Sequence, residues 1–179
     1  LFVGRLEKTK GVETLLRVFT ERPGEACLRI AGFGDLEPAV RRAAESSERI
    51  SYLGRLDRGQ VQAEMKQASA VVIPSLWEEN CPMVLLESYA NRTPCVVADR
   101  GGLPEFVSDG ADGLVVPAGD VEALAQALEF VTQNPSVAAA WGQRAYERLV
   151  TQHSPAQYYE RLSNVYARAK QQKAKAVPC

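Results

Sequence analysis

The stretch AVVIPSLWEENCPMVLLESYANRTPCVVA, residues 70–98, decides how the chain folds. It opens on the apolar run Val71-Val72-Ile73 and closes on Cys95-Val96-Val97-Ala98. Neither run alternates apolar with polar, so each reads as a strand buried on both faces. Between them, 82–91 reads as a helix that starts at Pro82, whose missing N–H loses nothing in a first helical turn. A strand, a helix and a strand in that order belong to a parallel sheet covered by helices on both faces.

The same alternation extends in both directions. Strands are predicted at 1–4, 27–31, 50–54, 70–73, 94–98 and 113–116, with helices at 11–20, 35–45, 58–68, 82–91 and 121–132. Asp120 is placed to cap the last of these, ahead of Leu124, Ala125 and Leu128. After Asn134-Pro135 two more helices are expected, 136–150 and 155–170, with no strand between them. The expected fold is α/β, a single Rossmann-like doubly wound parallel sheet of about six strands. One domain covers 1–169, followed by a polar, basic tail, 170–179, expected to fray.

Composition narrows the function classes. A chain of 179 residues with 46% apolar and 24% charged residues suits one well-buried domain. The net charge of -1 offers no global basic field for nucleic acid or a membrane surface. The longest apolar runs, such as 68–74 with Ser69 in it, are far too short for a transmembrane segment. Cys27, Cys81, Cys95 and Cys179 form no Cys-x-x-Cys pair, and His153 is the sole histidine, so no metal site is expected. The cysteines read as buried, reduced thiols of a cytosolic protein. The chain opens directly on Leu1-Phe2-Val3, which suggests a fragment lacking its natural N-terminal part.

In a doubly wound sheet, ligands bind at the carboxyl ends of the strands where the order reverses, between the first and fourth strands. The first strand ends at Gly4-Arg5, with Lys10 just before Gly11; the fourth leads into Ser75-Leu76-Trp77-Glu78-Glu79. Arg5 and Lys10 suit a phosphate clamp, and equally suit two solvated loop charges. The amides of Met83 and Val84 should be free at a helix N-terminus, which favours an anion. Glu87 stands about 7 Å further along that axis, a fitting offset for a ribose hydroxyl pair. A helical wheel leaves this open, because Glu87, Ser88 and Asn91 share a polar sector that a solvent-facing side would also show. Ala31-Gly32-Phe33-Gly34 suggests a turn close to a ligand, but it follows the second strand and Glu37 replaces a third glycine, so the nicotinamide pattern fails. Gly101-Gly102 reads equally as a plain connection or a ligand contact.

These segments together resemble a family. FVGRLEKTKGVETLL, LRIAGFGDLE, ISYLGRL, the long run from VVIPSLWEENCPMVLLE to GGLPEFV, and DGLVVPAGDVEALAQAL are similar, in order, to the C-terminal half of retaining GT-B glycosyltransferases of group 1. The resemblance implies that Glu79 and Glu87 are the E-x7-E pair, the first near hydroxyls of a donor sugar and the second at the ribose. It implies that Gly4, Arg5 and Lys10 hold the diphosphate with the Met83 and Val84 amides, while Gly32, Gly54 and Arg55 line the nucleobase pocket. Asn80 and Cys81 would border the sugar, although relatives often carry Gly or Pro and then Phe-Gly where this chain has Asn80-Cys81-Pro82. Arg92 also stands where glycine is common.

The implied activity is transfer of a sugar, with retention and without metal or cofactor, from a UDP, GDP or ADP sugar. The acceptor, a carbohydrate, lipid or small molecule, would be held by an N-terminal domain absent from this chain. A nucleotide-sugar epimerase and a non-catalytic nucleotide-sugar-binding module are the rival readings. The expected location is cytoplasmic, free or peripheral at the inner membrane.

Overall fold

A computed structural model of the chain describes residues 1–175. All six expected strands form: β1 Phe2–Arg5, β2 Leu28–Phe33, β3 Ile50–Gly54, β4 Val71–Ile73, β5 Cys95–Ala98 and β6 Gly113–Val116. Helices alternate with them: α1 Val12–Glu21, α2 Glu37–Ser46, α3 Arg58–Gln67, α4 Met83–Ala90, the single turn α5 Leu103–Phe106, and α6 Val121–Gln133. Then come α7 Pro135–Gln152 and α8 Pro155–Lys175. A short 3-10 turn, Lys8–Lys10, joins β1 to α1. Neither that turn nor α5 follows from the periodicity, because each is too short to show one.

Residues 1–146 form one compact unit, which holds every strand, and a second begins at Glu147. In the second, α8 exposes Tyr158, Tyr159, Val165 and Tyr166. Its helix runs to Lys175, so 170–175 is helical where a frayed tail was expected; 176–179, with Cys179, lies outside the described residues.

Every strand pair is parallel, in the orders β1-β2-β3 and β4-β5-β6. β1 and β4 meet at the centre, where the Val72 N–H donates to the Leu1 carbonyl at 2.9 Å. The expected doubly wound order is present, but its ladder is interrupted at this seam and the sheet divides into two three-stranded parts. β4 has only three residues and Pro74 follows it with no N–H to extend the pairing.

The core explains why these elements pack. In α1, Val12, Leu15, Leu16 and Phe19 repeat at helical spacing and are buried together. They meet Leu28 and Ile30 of β2 and Leu124 of α6 in one cluster. Each such side chain contributes roughly 1.5–3 kcal/mol when fully removed from water. All four residues of β5 are buried, as the unalternating run requires. Asp120 caps α6 as expected, its carboxylate accepting from the Ala123 amide at 3.0 Å.

The cysteines depart from expectation. Cys27, Cys81 and Cys95 are unpaired, yet only Cys95 is buried. Cys27 faces outward between the buried Ala26 and Leu28, and Cys81 lies in the loop before α4. Burial pushes the Cys95 thiol up to about 12.

At Gly142, buried in α7, helix propensity and packing oppose each other. Alanine in a helix interior is favoured over glycine by about 1 kcal/mol. Here, however, a methyl group would run into the backbone carbonyl of Arg92. Packing should win, so Gly142→Ala should lower stability by roughly 1–3 kcal/mol in denaturant unfolding, whereas propensity alone would raise it.

Candidate functional site

The carboxyl ends of β1 and β4 are tied together by backbone. The Thr9 carbonyl accepts from the amides of Leu76 at 2.8 Å and Trp77 at 3.2 Å. Gly11 follows in the left-handed region at φ 70, where glycine meets no steric penalty. A side chain there would overlap the Pro74 carbonyl oxygen. This close approach brings Lys10 to Glu79, 69 residues away in sequence, with Nζ to Oε1 at 2.6 Å. The Ser75 hydroxyl donates to the same oxygen at 2.7 Å. Glu79 is buried while its neighbour Glu78 is exposed, a difference that the sequence did not contain.

A cavity of about 280 Å³ opens here, lined by Gly4, Arg5, Lys10, Glu79, Met83 and Val84 among others. The Arg5 side chain is mostly exposed and pairs with Glu7 at 2.6 Å. Exposed pairs contribute only about 0–1 kcal/mol, so this guanidinium can turn to another anion at little cost. On the opposite wall α4 begins at Met83 with Pro82 as N-cap and no side-chain cap. The Leu85 amide bonds the Pro82 carbonyl, which leaves the amides of Met83 and Val84 without a helical acceptor. Pro82 thus stands just before the helix, not within its first turn.

A second cavity, about 270 Å³, shares Gly4 and Arg5 and continues to Gly32, Phe33 and Arg55. The Arg55 guanidinium lies 5.0 Å from the centre of the Phe33 ring. Tyr52 donates its hydroxyl to the Gly32 carbonyl at 3.0 Å. Gly32 packs so tightly on β1 that a side chain would overlap the Gly4 carbonyl. A larger cavity of about 340 Å³ lies at the amino ends of the strands, among Leu1, Leu28 and Ala70. The charged groups converge instead at the carboxyl ends, where a doubly wound sheet places its ligand crevice.

The structure therefore gathers Gly4, Arg5, Lys10, Glu79, Met83 and Val84 around one cavity and Gly32 and Arg55 around its neighbour. Gly54, Asn80, Cys81 and Glu87 line neither. Gly54 turns at φ 69 beside Arg55, and Asn80 and Cys81 are exposed in the loop before α4. Glu87 is half-buried one turn into α4, its backbone carbonyl accepting from the Asn91 side chain at 2.8 Å. The polar sector of α4 is not a simple solvent face: Ser88 is fully buried and donates to the Thr93 carbonyl at 2.8 Å. The parts of Ser75 and of the Thr9 backbone in the site are not legible in the sequence, because a serine beside a strand end gives no local signal of its partner.

The fold is a Rossmann-like doubly wound domain, and cations, a buried carboxylate and a free helix N-terminus converge at the carboxyl ends of its strands. The family model for glycosyl transferases group 1 matches residues 1–148, and the chain belongs to that family. Phosphatidyl-myo-inositol mannosyltransferase of Mycobacterium leprae is 36% identical over 141 residues, 75% of this chain and 37% of that protein. Glycogen synthase of Mycobacterium tuberculosis is 33% identical over 177 residues, 95% of this chain and 42% of that protein. The chain thus spans about two fifths of these relatives' length. Among solved structures, a mutant of S. aureus TarM in complex with fondaparinux, alpha-GlcNAc-glycerol and UDP superposes with a TM-score of 0.80 at 19% identity. That match covers 92% of this chain and 34% of TarM, and it establishes the fold as half of a GT-B pair.

Thiol chemistry tests the loop's placement. Alkylation of the native chain at pH 8–9, about the range of free thiols, should label Cys27 and Cys81, and peptide mapping should find Cys95 untouched until denaturant is added. Burial raises the Cys81 thiol as well, so its labelling should climb steeply with pH.

Proposed function

We propose that this chain is the donor-binding domain of a metal-independent glycosyltransferase that moves a sugar, with retention, from a nucleoside diphosphate sugar to an acceptor. The observation that carries the reading is the Lys10–Glu79–Ser75 cluster beside Arg5 and the uncapped N-terminus of α4. Two cations and two free amides suit a diphosphate, which explains why the reaction would not require a metal ion. The Glu79 oxygen that accepts from Lys10 and Ser75 is already occupied, and its second oxygen is available to a sugar hydroxyl. Glu87, further along α4, would accept from the ribose, and Gly32, Gly54 and Arg55 would border the base. Asn80 and Cys81 would border the sugar. TarM, which shares this fold, was solved in complex with UDP, and this supports a nucleotide as ligand here.

In the proposed step the bond between the anomeric carbon and the bridging phosphate oxygen breaks, and its electron pair leaves with the diphosphate. An acceptor hydroxyl attacks from the same face and its proton passes to the departing phosphate. Negative charge grows on the bridging oxygen, so Arg5, Lys10 and the α4 amides stabilise the transition state more than the ground state. The acceptor, whether carbohydrate, lipid or small molecule, would be held by a further domain, and the enzyme would work in the cytoplasm. No helix of the described residues is long and apolar enough to cross a membrane.

Calorimetry of this chain against UDP, GDP and ADP sugars tests the reading. One class should bind, with affinity unchanged by a chelator. Glu87→Ala should weaken it by about tenfold or more, the loss of a charged hydrogen bond to a hydroxyl. Absence of binding to every donor, or undiminished binding by Glu87→Ala, would overturn the assignment.

A further inference from the structure

The Gly101-Gly102 turn after β5 lines neither cavity, yet it presses on the carboxylate residue at the centre of the site. The Gly102 amide donates to the Glu79 carbonyl. A methyl group on Gly101 would lie 2.5 Å from the Glu79 amide nitrogen and 2.8 Å from the Glu78 carbonyl carbon. One on Gly102 would overlap the Asn80 carbonyl oxygen.

The two glycines differ in a way that identifies their purpose. Gly101 stands at φ 55, where glycine is favoured on backbone grounds alone. Gly102 stands at φ -79 and ψ -5, a conformation open to any residue. Its lack of a side chain is therefore explained by the Glu79–Asn80 peptide packed against it. The turn is also held from behind. Leu103, which begins α5, is fully buried, and the Tyr89 hydroxyl of α4 donates to the Phe106 carbonyl at α5's far end, at 3.0 Å. Backbone contacts and one buried hydroxyl thus link α4, through α5 and the glycine turn, to Glu79.

We infer that Gly101 and Gly102 are positioning residues, which set the place of the Glu79 carboxylate and of Asn80 relative to the N-terminus of α4 and so govern how the donor's sugar is held. The inference rests on the donor-site reading above. It separates two ends of one ligand. Gly4, Arg5, Gly32 and Arg55 belong to the β1-β2-β3 part of the sheet, whereas Glu79 and Asn80 are placed by the turn after β5. Disturbing the turn should weaken recognition of the sugar and spare recognition of the nucleoside diphosphate.

The test measures, by calorimetry, the affinity of this chain for UDP-glucose, GDP-mannose and ADP-glucose and for UDP, GDP and ADP alone. For the donor that binds, Gly102→Ala should lose about tenfold in affinity while its nucleoside diphosphate stays within about twofold, as expected for displacement of a positioned group. Tyr89→Phe, which removes one hydroxyl and keeps the ring, should show the same split at smaller size, and it carries the test if circular dichroism shows Gly102→Ala unfolded. Equal losses for both ligands, or none in either variant, would overturn the inference while leaving the donor site standing. Failure of the unmodified chain to bind any of the six compounds would overturn both.

Discussion

The turn from Lys8 to Gly11 has no room for a side chain where it meets the end of β4, and the rest of the site depends on that contact. The two parts of the sheet share little backbone pairing at their seam, since the Val72 amide reaches the Leu1 carbonyl and Pro74 ends the possibility of more. At the carboxyl end the joining is done instead by Thr9, whose one carbonyl accepts two amides, and by Gly11, which lies against Pro74. The same few atoms that close the seam bring Lys10 beneath Glu79. Site geometry and fold closure are thus one constraint: a side chain at position 11 would separate the strand ends and the ion pair together.

From Glu79 the constraint passes into α4. The carboxylate is fixed from below by Lys10 and Ser75, and its backbone from the side by Gly102. Four residues later the helix begins with two amides unused, and α4 is anchored at its other end by Ser88 and Tyr89, both buried and both hydrogen-bonded to carbonyls outside the helix. A short helix of eight residues has little stability of its own. Its orientation is set by the Ser88 anchor, which is what an anion site at a helix terminus requires, while the Tyr89 hydroxyl ties α4 to α5 and so to the glycine turn behind Glu79.

Much of this order was legible in the sequence because burial leaves a local trace. Val71-Val72-Ile73 and Cys95 to Ala98 have no polar residue to show to solvent, and every one of them is buried. Asp120 announced its cap by standing before an apolar periodic segment. What stayed hidden was pairing across long separations. Only the E-x7-E spacing of the family resemblance separates Glu79 from Glu78 in the string, and nothing local shows that Glu79 is buried on Ser75 and on Lys10, 69 residues away. Ser88 looked like part of a wet face, but it answers to Thr93 across the helix end. In the sequence Gly101-Gly102 reads equally as a connection or a ligand contact. Packing against Glu79 was neither, because a glycine's neighbour leaves no mark in the residues beside it. The exposure of Cys27 and Cys81 is hidden for a related reason: a residue type's average burial says nothing of a loop such as that of Cys81.

The charges around the first cavity argue for how such a site would divide binding from catalysis. Arg5 and Lys10 are both partnered, by Glu7 and Glu79, so the four side chains nearly cancel. Such a site does not present a bare cationic trap. A diphosphate arriving there gains the exposed Arg5 guanidinium by displacing a pair worth about 0–1 kcal/mol, together with the α4 dipole at roughly 0.3–1 kcal/mol. Lys10 is different: it is held by a carboxylate that is itself hydrogen-bonded and buried, so it does not swing freely toward the ligand. On the proposed reading its charge acts in place, and acts most when negative charge is greatest, as the bridging oxygen departs. An ammonium fixed by its own counter-ion binds the resting donor less strongly than a free one would. That restraint leaves more of its interaction to be expressed in the transition state, the condition under which binding raises rate.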